Sequence, residues 1–175
     1  MRAPSPPLPA FSTRRFRARA GVLGTWLLLG LGLTGCPDAP EGPLRPFEVG
    51  TGSMFTALQE GDTVELHSGF QGGQHVFVSL RAWELTTLKS RVELSLERTS
   101  DGDRVSSPYE VDLRFSPGLQ PGEPAQLEGL LLVIPDARQA VGQEVRLNAS
   151  FESDAGEHGA DSRTVKLQWA SDLEP

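Results

Sequence analysis

The sequence predicts an all-β domain, a two-sheet antiparallel sandwich, and three observations carry that prediction. From Phe47 onward apolar side chains recur with a period of two. Gly, Pro, Asn and Asp punctuate those runs at short intervals. No segment offers an amphipathic helix of useful length. Alternation of this kind is what a sheet with one buried face produces, because successive side chains of a strand point to opposite sides.

Seven strands are expected, near 62–67, 74–84, 90–99, 104–115, 125–134, 143–152 and 162–169. The first two form an antiparallel pair if Leu66 lies opposite Val76 and Val64 opposite Val78, which puts these apolar residues on one face. In the third, Val92, Leu94 and Leu96 alternate with Arg91, Glu93, Ser95 and Glu97. Ser100-Asp101-Gly102-Asp103 then signals a hairpin, since Asp-Gly supplies the positive φ of a tight turn. The fourth alternates Tyr109, Val111, Leu113 and Phe115 with Glu110, Asp112 and Arg114. Pro117, Gly118, Pro121, Gly122 and Pro124 mark the next loop. Leu130-Leu131-Leu132-Val133-Ile134, stopped by Pro135, reads as a strand buried on both sides or as a sandwich edge against a loop. The sixth alternates Val145, Leu147, Ala149 and Phe151 with Arg146, Asn148 and Ser150. The spacing of these strands resembles that of an immunoglobulin-like domain lacking its inter-sheet disulfide. A likeness of fold implies no activity by itself.

Ahead of this domain the composition is different. Arg2, Arg14, Arg15, Arg17 and Arg19 come without an acid, and 15 residues from Ala20 to Thr34 carry no charge. That is the pattern of a secretory signal, too short for a comfortable membrane span of ~20 residues. Leu33-Thr34-Gly35-Cys36 closes the run, and Cys36 is the only cysteine. This tetrapeptide resembles the lipobox of bacterial lipoproteins. The resemblance implies cleavage before Cys36, its acylation (palmitate among the chains), and a membrane anchor for everything that follows. A lone thiol in an oxidising compartment is a liability that acylation removes. Two or more acyl chains anchor stably where one does not.

The expected organisation is a signal peptide over 1–35, a Pro-rich tether over 36–46, the sandwich over 47–170 and a tail over 171–175. Prolines at 37, 40, 43 and 46 match the three residues per turn of polyproline II. Eleven such residues reach about 34 Å at ~3.1 Å each. Removing the leader takes five of the 16 Lys+Arg and none of the 23 Asp+Glu, leaving 11 against 23 and a net charge of −12 over 140 residues. So acidic a surface, without a basic patch, excludes nucleic acid as a partner. The expected partners are the membrane, through the lipid, and an envelope protein or polymer. Pro37 follows Cys36 and Asp38 comes next, so retention in the inner membrane by an acid after the cysteine does not clearly apply; the outer membrane is favoured, facing either the periplasm or the exterior.

One internal segment stands out: Gly61-Asp62-Thr63-Val64-Glu65-Leu66, followed by Gln71-Gly72-Gly73-Gln74-His75-Val76-Phe77-Val78. It resembles a segment of uncharacterised predicted lipoproteins of Gram-negative bacteria, with a GD strand, a QGG turn and an H-V-x-V strand. The resemblance implies location and fold and carries no chemistry. The register that pairs Leu66 with Val76 also sets His67 opposite His75 on the other face, with Glu65 opposite Phe77. Two imidazoles and a carboxylate suit Zn²⁺ or Cu²⁺, but a fourth ligand is not evident. The 154–161 segment, with Asp154, Glu157 and Asp161, lacks the D-x-[DN]-x-[DN]-G spacing of a Ca²⁺ loop and reads as a solvated acidic hairpin. His158 is placed in that loop.

G-x-S-x-G, His-Glu-x-x-His and a phosphate-cradling glycine loop are all absent. The site assignment is therefore Cys36 for lipid, with no catalytic, cofactor or metal residue assigned and an enzyme not expected. A non-catalytic binding or structural module of the cell envelope is the function the residues favour. The alternative is a metal-binding envelope lipoprotein using Zn²⁺, Cu²⁺ or Ca²⁺.

Overall fold

A computed structural model describes residues 42–69 and 72–171, which form nine strands and one short 3₁₀ turn. The strands are β1 (Phe47–Thr51), β2 (Thr56–Ala57), β3 (Thr63–Ser68), β4 (Gln74–Ala82), β5 (Lys89–Arg98), β6 (Tyr109–Arg114), β7 (Ala125–Val133), β8 (Glu144–Ser153) and β9 (His158–Trp169). Their order is β2-β1-β4-β3-β9-β8-β5-β6, with β7 also paired to β4, in one curled, mostly antiparallel half-barrel. Among the described residues the 3₁₀ turn Ala137–Gln139 is the only helical piece.

The expected count of seven is thus two short. β1 and β2 escape the pattern because each is brief and Gly50 interrupts the alternation of Phe47-Glu48-Val49. A methyl group at Gly50 would lie 2.5 Å from the Thr56 oxygen and 2.7 Å from the Phe55 ring, so the β1–β2 contact requires glycine there. The expected strand 104–115 shortens to β6, since Arg104 bridges back to Glu97 and Pro108 has no N–H to give a ladder. The Asp101-Gly102 turn is present, with Gly102 at φ 77° and the Arg98 guanidinium bonded to both Asp101 and Asp103.

β4 organises the molecule. Its first residues pair with β3 (Leu66↔Val76, His67↔His75, Ser68↔Gln74) and its later ones with β1 (Thr51↔Val78 through Phe47↔Ala82). Its other edge pairs with β7, across a register shift between Val78 and Leu80. Val64 consequently does not face Val78. Val78 is taken on that edge by Thr51 of β1, and Val64 pairs on the opposite edge of β3 with Leu167, where β3 runs parallel to β9 over Thr63–Leu66. This parallel pair departs from the all-antiparallel expectation, and it carries the ladder from the β4 region to the β9-β8-β5-β6 ribbon.

The core fills the inside of the curl. Val76, Val78 and Leu80 from β4 meet Val92, Leu94 and Leu96 from β5, Val145 and Leu147 from β8, and Val165 and Leu167 from β9, all at most 2% exposed. Phe115 and Phe151 close one end edge-to-face, with ring centroids 5.8 Å apart. In the run Leu130–Ile134, Leu132 and Ile134 point inward at 0% and 1% exposure, while Leu131 and Val133 are 49% and 44% exposed. The edge reading of that run holds and the doubly buried one does not. Loop residues cover part of the edge: Ser107 donates to the Val133 carbonyl, and Ser116 exchanges both backbone bonds with Gln126.

The chain joins the fold earlier than Phe47. Arg45 N–H donates to the His158 carbonyl at 2.8 Å, His158 N–H to the Pro43 carbonyl at 3.1 Å, and Trp83 N–H to the Pro46 carbonyl at 3.0 Å. The last residues of the expected 36–46 tether are therefore strapped along the start of β9. Proline at 43 and 46 permits this, because in both contacts the proline only accepts.

Candidate functional site

On the outer side of β3 and β4, alternation turns His67, His75 and Phe77 away from the core while Leu66, Val76 and Val78 are buried. The two imidazoles face each other across the strands, with ring centroids 6.1 Å apart and planes 26° from parallel. Phe77 packs edge-on against both, at 5.0 Å from His67 and 5.1 Å from His75. Glu65 Oε2 lies 3.8 Å from His67 Nε2. Burial, and then the charge of His67, hold the His75 pKa below the usual 6.5. The sequence-derived facing of His67 and His75 is what the ladder shows. Glu65 facing Phe77 is not part of it, because the Phe77 carbonyl is already taken by Gly52 N–H and the Thr51 hydroxyl at the end of β1.

The acidic segment between β8 and β9 does not form one site. Asp154 stays at the surface beside Lys89, 3.3 Å away. Asp161 accepts from Val49 N–H at 3.0 Å and from the Arg163 guanidinium, fastening β1 to β9. Glu157 departs furthest from the solvated hairpin expected, being 1% exposed. Its Oε1 accepts from Arg45 Nε at 3.0 Å, Arg45 Nη2 at 2.8 Å and Thr86 N–H at 3.1 Å. Its Oε2 accepts from Thr86 N–H at 3.0 Å and Ser153 Oγ at 3.2 Å. Burial pushes the Glu157 carboxyl up, but the Arg45 and Thr86 donors outweigh it and the net shift is downward. His158 opens β9 and is not a loop residue; its Nδ1 is buried without a hydrogen-bond partner.

Nothing in the sequence marks Arg45, Thr86 and Glu157 as a unit, for they lie in three separate segments. The only available signal was an acid just before a strand with a glycine at its shoulder. That pattern reads as a surface turn unless the partner 112 positions earlier is known.

Two shallow grooves cross the outer face of β5, β8 and β9, of about 460 and 370 Å³, and they share Glu93, Ser150 and Ala160. The grooves exist because Ser150, Ser162, Gly159 and Ala160 are short beside Arg91, Glu93, Glu152 and Arg104. Asn148 donates to Ser95 Oγ at 3.1 Å, and Ser95 to Glu97 at 3.2 Å. This surface carries hydroxyl, amide and charged groups. Leu44, 73% exposed, forms one apolar wall.

Among the described residues, no group of three or more His, Cys, Asp and Glu is placed to hold a metal ion, and no helix is long and apolar enough to cross a membrane. Cys36 and the leader before it lie outside the described residues, as does Gln71 of the QGG turn. No protein-family model, curated protein or solved structure matches this chain.

Proposed function

We propose that this chain is a lipid-anchored module of the bacterial cell envelope, acylated at Cys36 and acting by binding or by structure rather than by catalysis. The observation that carries the reading is Leu33-Thr34-Gly35-Cys36 at the end of a basic and then uncharged leader. A net charge of −12 on the remainder supports a domain that stays clear of anionic lipid and nucleic acid and depends on acyl chains for its membrane contact. We assign it to the outer membrane.

The domain reads as an immunoglobulin-like sandwich of seven strands, β3 to β9, with β1 and β2 added ahead of them. What supports this is the pairing of β4 with β7 on one side and the β9-β8-β5-β6 ribbon on the other, with β3 shared between β4 and β9. The grooved face of β5, β8 and β9 is the contact surface in this reading, and an envelope protein or polymer is its partner.

The test is the mass of the native amino terminus. Acyl-cysteine at position 36, and loss of membrane association in Cys36→Ser, are the expected results. An intact Met1, or a bare thiol at Cys36 in the native product, ends the proposal.

A further inference from the structure

We propose that His67 and His75 form a two-imidazole chelate on the outer face of β3 and β4 for a borderline divalent transition ion, Zn²⁺ or Cu²⁺. The proposal is independent of the lipid anchor. Its geometry rests on a register that the flanking pairs Leu66↔Val76 and Ser68↔Gln74 fix from both sides. Slipping that register by one residue would turn Leu66 and Val76, now at 0% and 1% exposure, out to solvent. The backbone therefore holds the two rings face to face.

An ion about 2.0–2.1 Å from one nitrogen of each ring lies roughly 3 Å from each ring centre, so rings sharing it have centres about 6 Å apart or less. The observed 6.1 Å lies at the edge of that reach, and because the rings now stack with planes 26° from parallel, each turns about its Cβ–Cγ bond to bring one in-plane nitrogen lone pair onto the shared ion. Phe77, within 5.1 Å of both rings, walls one side and reduces the rotamers that binding must freeze. Glu65 adds a negative charge 3.8 Å from His67, and the β7 neighbours of His75 and Phe77 are the uncharged Val133 and Leu131. Water fills the remaining coordination positions on the solvent side. Imidazole nitrogen selects Zn²⁺ and Cu²⁺ over Ca²⁺ and Mg²⁺, which require oxygen ligands, and Cu²⁺ binds more tightly than Zn²⁺.

The experiment uses the full chain without an affinity tag, in mild detergent, melted in EDTA and then with ZnCl₂, CuCl₂, CaCl₂ or MgCl₂. At tenfold excess over Kd the ion favours the folded state about 11-fold, raising the melting temperature by about 3–6 °C. We expect that rise with Zn²⁺ and Cu²⁺, none with Ca²⁺ or Mg²⁺, and its loss in both His67→Ala and His75→Ala. Nitrogen couplings in the Cu²⁺ electron spin resonance spectrum read the ligands directly, whatever a substitution does to stability. Two coupled imidazoles are expected in the wild type and fewer in each variant. No rise in the wild type, a rise kept in either variant, an equal rise with Ca²⁺, or an unchanged nitrogen count overturns the proposal.

Discussion

Replacing Glu157 by Gln keeps the shape of the side chain and removes its charge, which isolates what the buried carboxylate contributes. The carboxylate takes five donor contacts on two oxygens, from Arg45, Thr86 and Ser153, at 1% exposure. Glutamine can keep the contacts to one oxygen, but its amide nitrogen then meets Thr86 N–H donor to donor. Breaking a buried ion pair costs about 3–5 kcal/mol. Arg45 remains 21% exposed and has Glu84 3.5 Å away, so solvent and a second carboxylate offset part of that loss. We expect a loss of about 2–3 kcal/mol, seen as a urea midpoint lower by about 1–1.5 M at a slope near 2 kcal/mol/M. Because the folded-state pKa of Glu157 is depressed, its stabilisation is fully present above the unfolded carboxyl value of about 4.3. It is lost as pH falls through the lower folded value. The gap between wild type and Glu157→Gln should therefore be constant from pH 5 to 8 and narrow below about pH 4.5. A gap under 0.5 kcal/mol at pH 7, or one that widens in acid, would refute the role assigned to the carboxylate.

Leu132→Ala, at a position with 0% exposure, should cost about 2–4 kcal/mol by urea unfolding, and Leu131→Ala, at 49%, less than about 1 kcal/mol. Equal costs would show that both faces of β7 are buried. Gly50→Ala should destabilise by about 1–3 kcal/mol, since its methyl group meets the Thr56 carbonyl at 2.5 Å and backbone must shift. A melting temperature equal to wild type in that variant would mean that β1 and β2 do not approach as described.

What was legible in the sequence was what alternation encodes. Val92-Leu94-Leu96 and Val145-Leu147-Ala149-Phe151 each gave a strand and its inward face, and His67 opposite His75 followed from one apolar pair. Alternation fails where a strand is short or has two partners. β1 and β2 offer five and two residues, too few for a period to be seen above chance. That β3 meets β4 only from Leu66 onward leaves no mark on Thr63-Val64-Glu65, because Val64 is buried whether or not Val78 lies across from it. The run Leu130–Ile134 misleads differently: an edge strand with two exposed apolar residues has the same composition as a fully buried one.

The Glu157 node shows why side-chain chemistry was less legible than strand placement. Hydrophobic burial is non-directional and roughly additive in area, so a local pattern already predicts it. A buried carboxylate is tolerated only if donors from elsewhere converge on it, and here they come from positions 45, 86 and 153. Taken alone, Asp154, Glu157 and Asp161 are equivalent acids of one turn. The fold makes one a surface charge, one a buried fastener of Arg45 and one the acceptor for β1. Glu157 also meets Arg45, which is among the first described residues after the segment expected to carry the lipid. Among the described residues, the Arg45–Glu157 pair and the Pro43 and Arg45 bonds to His158 fasten the amino-terminal strap to the β8–β9 turn ahead of Phe47.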